Sequence, residues 1–73
     1  MKMMMVLGNA VQLEKHGYRT RMWLNGATYI GSFYSGSKSW AYSDNGEVIR
    51  GSARNTREAA ERALSYHFFE KAV

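Results

Sequence analysis

The chain has no cysteine and no proline, and it lacks any long apolar run. Without cysteine there is no disulfide framework and no thiolate metal site to brace a small fold. The same absence suits a reducing compartment, and a cytoplasmic location is expected. Without proline, the turns must be made by glycine and asparagine. The nearest thing to an apolar segment, "MKMMMVLGNAV", is too short and too interrupted to span a bilayer, and no membrane is expected. No small-residue cleavage pattern follows it, so it reads as part of the mature domain and not as a signal peptide.

Catalytic constellations are missing as well. His16 falls in a predicted turn and His67 on the apolar stripe of a predicted helix. Neither has a second histidine or a carboxylate at metal-ligand spacing. Asp44 and Glu47 flank a turn, where solvated acids are the plain reading. "SGS" at Ser35 to Ser37 is too short to cradle a phosphate, and no helix follows it. There is no nucleophile elbow and no dinucleotide fingerprint. A non-catalytic protein without metal or cofactor is expected.

What remains is basic and aromatic. Ten Lys/Arg against six Asp/Glu give a formal charge of +4, and the pI is near 9.7. Such an excess favours polyanionic partners, nucleic acid first, although charge of this size also serves solubility. The 73 residues make one domain, residues 1–73. A chain this small buries only about 60% of its unfolded surface, so the core must rest on the aromatics, 14% of residues, or on a partner subunit.

The pattern predicts an α+β domain: an antiparallel meander of four to five strands over residues 10–53, then one helix over 55–71 packed on one face. Residues 1–9 stay open between a strand and a short helix, with Gly8 weighing against the helix. "NGATYIGS" from Asn25 and "NGEVIRGS" from Asn45 share turn and glycine positions. Two-residue Asn-Gly loops are a strong hairpin signal, because both positions need positive φ. The likeness reads as hairpin grammar, with the second glycine leaving room for a neighbouring ring or a helix. In the last segment Ala60, Ala63, Leu64, His67 and Phe68 fall on one helical stripe. Asn55 or Thr56 can cap its start, with Glu58 at capping-box spacing and Arg62 one turn beyond it.

A two-residue loop fixes register. Around Asn25-Gly26 it opposes Leu24 to Ala27, Met22 to Tyr29, Thr20 to Gly31 and Tyr18 to Phe33 on an apolar face. The other face pairs Trp23 with Thr28, Arg21 with Ile30 and Arg19 with Ser32. Around Asn45-Gly46, Tyr42 opposes Ile49, Trp40 opposes Gly51 and Ala41 opposes Arg50. Tyr18, Met22, Leu24, Tyr29, Phe33, Trp40, Tyr42 and Ile49 then face the helix. The opposite face carries Arg19, Arg21, Trp23 and Arg50, with Lys38 at its margin and Arg54 beyond the last strand. Arginines around a tryptophan on an open sheet face suit phosphate binding and base stacking.

The segment "IRGSARNTREAAERAL" resembles the strand-to-helix junction of ethylene-response-type plant DNA-binding domains and of the arm-binding domains of tyrosine recombinases. The shared pattern is Thr56, Arg57, Glu58, Ala59 and Ala60, continued by Ala63 and Leu64. In those families three strands lead into the helix and the sheet lies in the DNA major groove. The resemblance implies that Arg19, Arg21, Trp23 and Arg50 read DNA while the helix packs. "NGEVIRGSARNTREAAERAL" is also similar to the end of double-stranded-RNA-binding domains, but Thr56-Arg57-Glu58 stands where that family has a lysine pair. The expected partner is therefore nucleic acid, DNA ahead of RNA, bound by Arg19, Arg21, Trp23, Lys38, Arg50 and Arg54. The rival expectation is a protein-interaction module, an inhibitor or accessory subunit using the sheet face or an edge strand. A homodimer fits either, since Tyr66, Phe68 and Phe69 crowd one turn.

Overall fold

The computed structural model of the chain describes residues 2–44 and 47–70. It is an α+β fold with one antiparallel sheet of six strands in sequence order. The strands are β1 (Lys2–Val6), β2 (Asn9–His16), β3 (Arg19–Leu24), β4 (Thr28–Tyr34), β5 (Ser39–Asp44) and β6 (Glu47–Ser52). The helix α1 (Thr56–Ser65) follows, extended by a π-helical turn, Tyr66–Glu70. The expected four to five strands become six because the N-terminal segment is itself a strand. Val6 pairs with Asn9 across a tight Leu7-Gly8 turn, and Lys2 reaches Leu13. Among the described residues no helix is long and apolar enough to cross a membrane.

Local turn chemistry sets most of the register. Asn25 and Gly26 both have positive φ, 54° and 71°, and the Ala27 N–H donates to the Leu24 carbonyl at 3.0 Å. That is the turn an Asn-Gly pair prescribes. The departure from the expected pairing starts there: Ala27 joins the loop, and Leu24 pairs with Thr28 and not with Ala27. Trp23 opposes Tyr29, but the next pair is Met22 with Gly31, so Ile30 is an extra residue without a counterpart on β3. The extra loop residue reverses the facing of Tyr29 and Ile30, and the bulge restores the expected facing from Ser32 onward. Ile30, expected outside, is fully buried, and Tyr29, expected toward the helix, lies on the outer face with Trp23. Tyr18, also expected inside, stands in the β2–β3 turn and is 79% exposed.

The bulge has a visible cause. Gly31 adopts φ +135°, and a Cβ there would overlap the Ala41 carbonyl oxygen of β5. Only glycine allows the two backbones to come so close. Gly51 serves a different purpose: it opposes Trp40, and a Cβ on it would stand 2.7 Å from the indole Nε1. One repeated glycine admits a neighbouring backbone and the other a ring. The β5–β6 pairs are those expected, Tyr42 with Ile49, Trp40 with Gly51 and Ala41 with Arg50. The Asn45-Gly46 turn itself lies outside the described residues.

Helix α1 starts as its cap signals ask. The Asn55 side chain accepts from the Glu58 N–H at 2.8 Å. Glu58 in turn accepts from the Arg54 N–H at 3.1 Å. Ala59, Ala60, Ala63 and Leu64 are buried, and these small side chains let the helix lie close on the sheet. The predicted stripe holds through His67, which meets the Tyr42 hydroxyl at 3.0 Å, and fails at Phe68, which is exposed like Phe69. The α-helical part closes at Ser65 and the π turn carries the helix to Glu70; residue 71, the expected end, lies with 72 and 73 outside the described residues.

Helix α1 packs on β4 and β5 and also reaches β1. In a flat sheet β1 and β5 would be about 19 Å apart, four spacings of ~4.8 Å, while a helix is only about 10 Å across. The sheet must curl to bring both to one helix. The core fills the inside of this curl, with Val6, Val11, Met22, Ile30, Tyr42 and Leu64 nearly or wholly buried. The opposite, convex face is left uncovered.

Candidate nucleic-acid interface

The pairing ladder decides what the convex face carries. One row runs Glu14, Arg21, Ser32, Ala41 and Arg50 across β2 to β6. The next runs His16, Arg19, Tyr34, Ser39 and Ser52. A third brings Gln12, Trp23 and Tyr29 together, with Met3 beside Gln12 on β1. Arg19, Arg21, Trp23 and Arg50 thus share one face. Arg21 and Arg50 are about 14 Å apart along their row, three strand spacings.

Arg19 is built into the face. Its Nε donates to Ser32 Oγ at 3.0 Å and its Nη2 to the Tyr29 hydroxyl at 3.2 Å. The Tyr29 and Ser32 hydroxyls are 2.7 Å apart. The guanidinium also lies 5.9 Å from the centre of the Tyr34 ring, a cation–π distance. Its pKa is held above the ordinary arginine value, first by the bond to Tyr29, with desolvation opposing and the Tyr29 and Tyr34 phenols adding less. On the far side of Tyr29 the Trp23 ring packs at 5.1 Å and a 58° tilt. Trp23, Tyr29, Arg19 and Tyr34 form one continuous array of π faces and a cation.

Two shallow depressions flank the array. One of about 210 Å³ is lined by Arg19, Arg21, Trp23 and Tyr29. The other, of about 330 Å³, is bounded by Tyr34, Ser37, Ser39, Trp40, Ala41 and Arg50. A larger hollow of about 500 Å³ lies on the concave side, among Lys2, Met4, Leu13, Lys15, Thr20 and Thr56. It offers two lysines but no ring, so it lacks the stacking surface of the convex face.

Arg21 is not a free cation. Its Nη1 is 3.5 Å from Glu14 Oε1, which also lies 3.2 Å from His16 Nε2. Lys38 is exposed in the β4–β5 loop, where its carbonyl accepts from the Ala53 N–H at 3.0 Å. Arg54 sits apart from the array, before α1, with its Nη2 2.9 Å from Glu58 Oε2. The structure thus brings Arg19, Arg21, Trp23 and Arg50 together, sets Lys38 in a flanking loop and engages Arg54 with the helix. Among the described residues no three of His, Cys, Asp and Glu are grouped to hold a metal.

Sequence reasoning missed Tyr29, Tyr34 and Glu14. Tyr34 is two residues from Ser32 and shares its face by alternation alone. Glu14 was accessible too: a two-residue Gly17-Tyr18 turn opposes His16 to Arg19 and hence Glu14 to Arg21. Tyr29 had no such signal, because Asn25-Gly26 implies a two-residue loop and it is the extra loop residue, Ala27, that turns Tyr29 outward. Comparison with protein-family models, curated proteins and solved structures finds no match to this chain.

Proposed function

We propose that this is a non-catalytic nucleic-acid-binding protein whose ligand lies on the convex face of the sheet, with DNA the first ligand to test and RNA the second. The observation that carries this reading is the array itself: Trp23, Tyr29 and Tyr34 interleaved with Arg19 and Arg21, with Arg50 on the same face. Arginines at the margins supply phosphate contacts, and rings between them supply surface for bases. The net charge of +4 adds a long-range attraction that raises the encounter rate.

The test is a fluorescence-anisotropy titration against labelled duplex DNA, single-stranded DNA and duplex RNA at two salt concentrations. If Arg19, Arg21 and Arg50 each neutralise a phosphate, the logarithm of affinity falls with the logarithm of salt with a slope of about −2 to −3. Absence of binding to every ligand at low salt would overturn the reading.

A protein partner is the second reading, and Met3 and Met5 favour it. They are 57% and 60% exposed on β1, at an open edge of the sheet. An interface centred on them would have an apolar core and a much flatter salt dependence.

A further inference from the structure

The geometry points to single-stranded nucleic acid, held by base stacking on Trp23 and Tyr34, as the ligand class of the convex face. This inference rests on the nucleic-acid reading and narrows it.

Arg19 and Arg21 do not stand out from the face as a groove-reading pair would. Arg19 is tied down by Ser32 and Tyr29, and Arg21 leans on Glu14. Direct reading of a duplex needs side chains that extend into the groove and make paired hydrogen bonds to base edges. Here two of the five N–H donors of Arg19 are bonded to neighbouring hydroxyls, which fixes the guanidinium against the face and leaves the others for phosphate. What the face offers is partly exposed rings, and every base has a π-face that can stack on them regardless of sequence.

Size argues the same way. Measured along its curl, the six-stranded face is about 24 Å wide, five spacings, twice the width of a major groove of about 12 Å. Glu14, in the row with Arg21 and Arg50, would meet the backbone of a duplex pressed against the whole face. A single strand is narrow and can route its phosphates past Arg19 and Arg50 while avoiding Glu14. Its unpaired bases are free to turn toward the sheet, and the depressions on either side of Tyr34 and Arg19 give them room.

The experiment compares four labelled ligands of about 12 nucleotides, a length within the span of a small β domain: oligothymidylate, an oligomer of the same backbone without bases, duplex DNA and single-stranded RNA. The expected result is tighter binding of the base-bearing single strands than of either the duplex or the abasic oligomer, with quenching of tryptophan fluorescence. Trp23→Leu keeps apolar bulk but removes the π-face and is expected to weaken oligothymidylate binding roughly 5- to 150-fold, while Trp23→Phe retains most of it. Circular dichroism on both variants checks the fold. Duplex bound as tightly as the single strand, or the abasic oligomer bound as tightly as oligothymidylate, overturns the stacking inference and leaves phosphate binding standing. No binding to any of the four overturns the nucleic-acid reading and this inference with it.

Discussion

Trp23 stands directly across from Tyr29, their rings 5.1 Å apart, because Ala27 joins Asn25 and Gly26 in the loop and Leu24 pairs with Thr28. With a two-residue loop Tyr29 would face the helix and Ile30 the solvent. The extra loop residue reverses both, giving the core a buried Ile30 and the convex face a second ring. The bulge at Ile30, a second irregularity, then restores the alternation and keeps Phe33 in the core and Tyr34 on the candidate site.

Gly31 makes that irregularity tenable, so Gly31→Ala is the sharpest test of it. The new methyl group would strike the Ala41 carbonyl of β5, and the φ of +135° is one that residues with a side chain avoid. Backbone strain and overpacking together are expected to remove roughly 3 kcal/mol or more. That is a large part of the few to ten kcal/mol a domain of this size holds. Urea denaturation checks it; a midpoint equal to wild type would mean that the β4–β5 approach is not as close as described.

The bulge also marks how far the sequence could be read. The positive φ of Asn25 and Gly26 and the pairs of Trp40 with Gly51 and Tyr42 with Ile49 follow from rules spanning a few residues and appear as expected. Arg19, Arg21, Trp23 and Arg50 fall on one face for the same reason, since the later part of the β3–β4 register keeps the expected alternation. Tyr29 falls on the opposite face from the one expected, because Asn25-Gly26 implies a two-residue loop whereas Ala27 joins it and shifts the register by one residue. At the end of the helix His67 keeps to the expected stripe and meets the hydroxyl of Tyr42, whereas Phe68 is exposed on the π turn, a change of helical period that the sequence pattern does not carry.

The helix cap should be measurable by itself. Asn55→Ala removes the acceptor of the Glu58 N–H, a loss of about 1 kcal/mol at helix N-caps. For a domain of this size that corresponds to a melting point lower by roughly 4–8 °C. An unchanged melting point would show that Thr56 or water replaces the cap without cost.

Glu58 ties stability to pH. Its pKa is held below the ordinary glutamate value, first by the Arg54 N–H and then by the Arg54 side chain, with Arg62 adding less. A lowered folded-state pKa gives stabilisation that is present above the unfolded value and is lost as pH falls through the folded one. The melting point is therefore expected to drop from about pH 4.3 downward. Glu58→Gln should lower it near neutrality and make that part of the acid dependence flatter. Equal acid dependence in wild type and variant would remove Glu58 from the explanation.

Arg21 and Glu14 divide the convex face into an attraction and a restraint, and paired variants separate them. Arg21 is half exposed, and an exposed pair of this kind adds at most about 1 kcal/mol to stability. Arg21→Ala should leave the domain folded, weaken nucleic-acid binding across all sequences, and reduce the magnitude of the salt slope by about 0.7 to 0.9. Glu14→Gln removes the carboxylate that holds Arg21 and that opposes phosphate on the same row. It should tighten binding roughly two- to five-fold, the exposed-pair energy returned to the ligand. Opposite signs from two substitutions at neighbouring positions would locate the ligand on this row. Equal affinity in both variants would place it elsewhere on the protein.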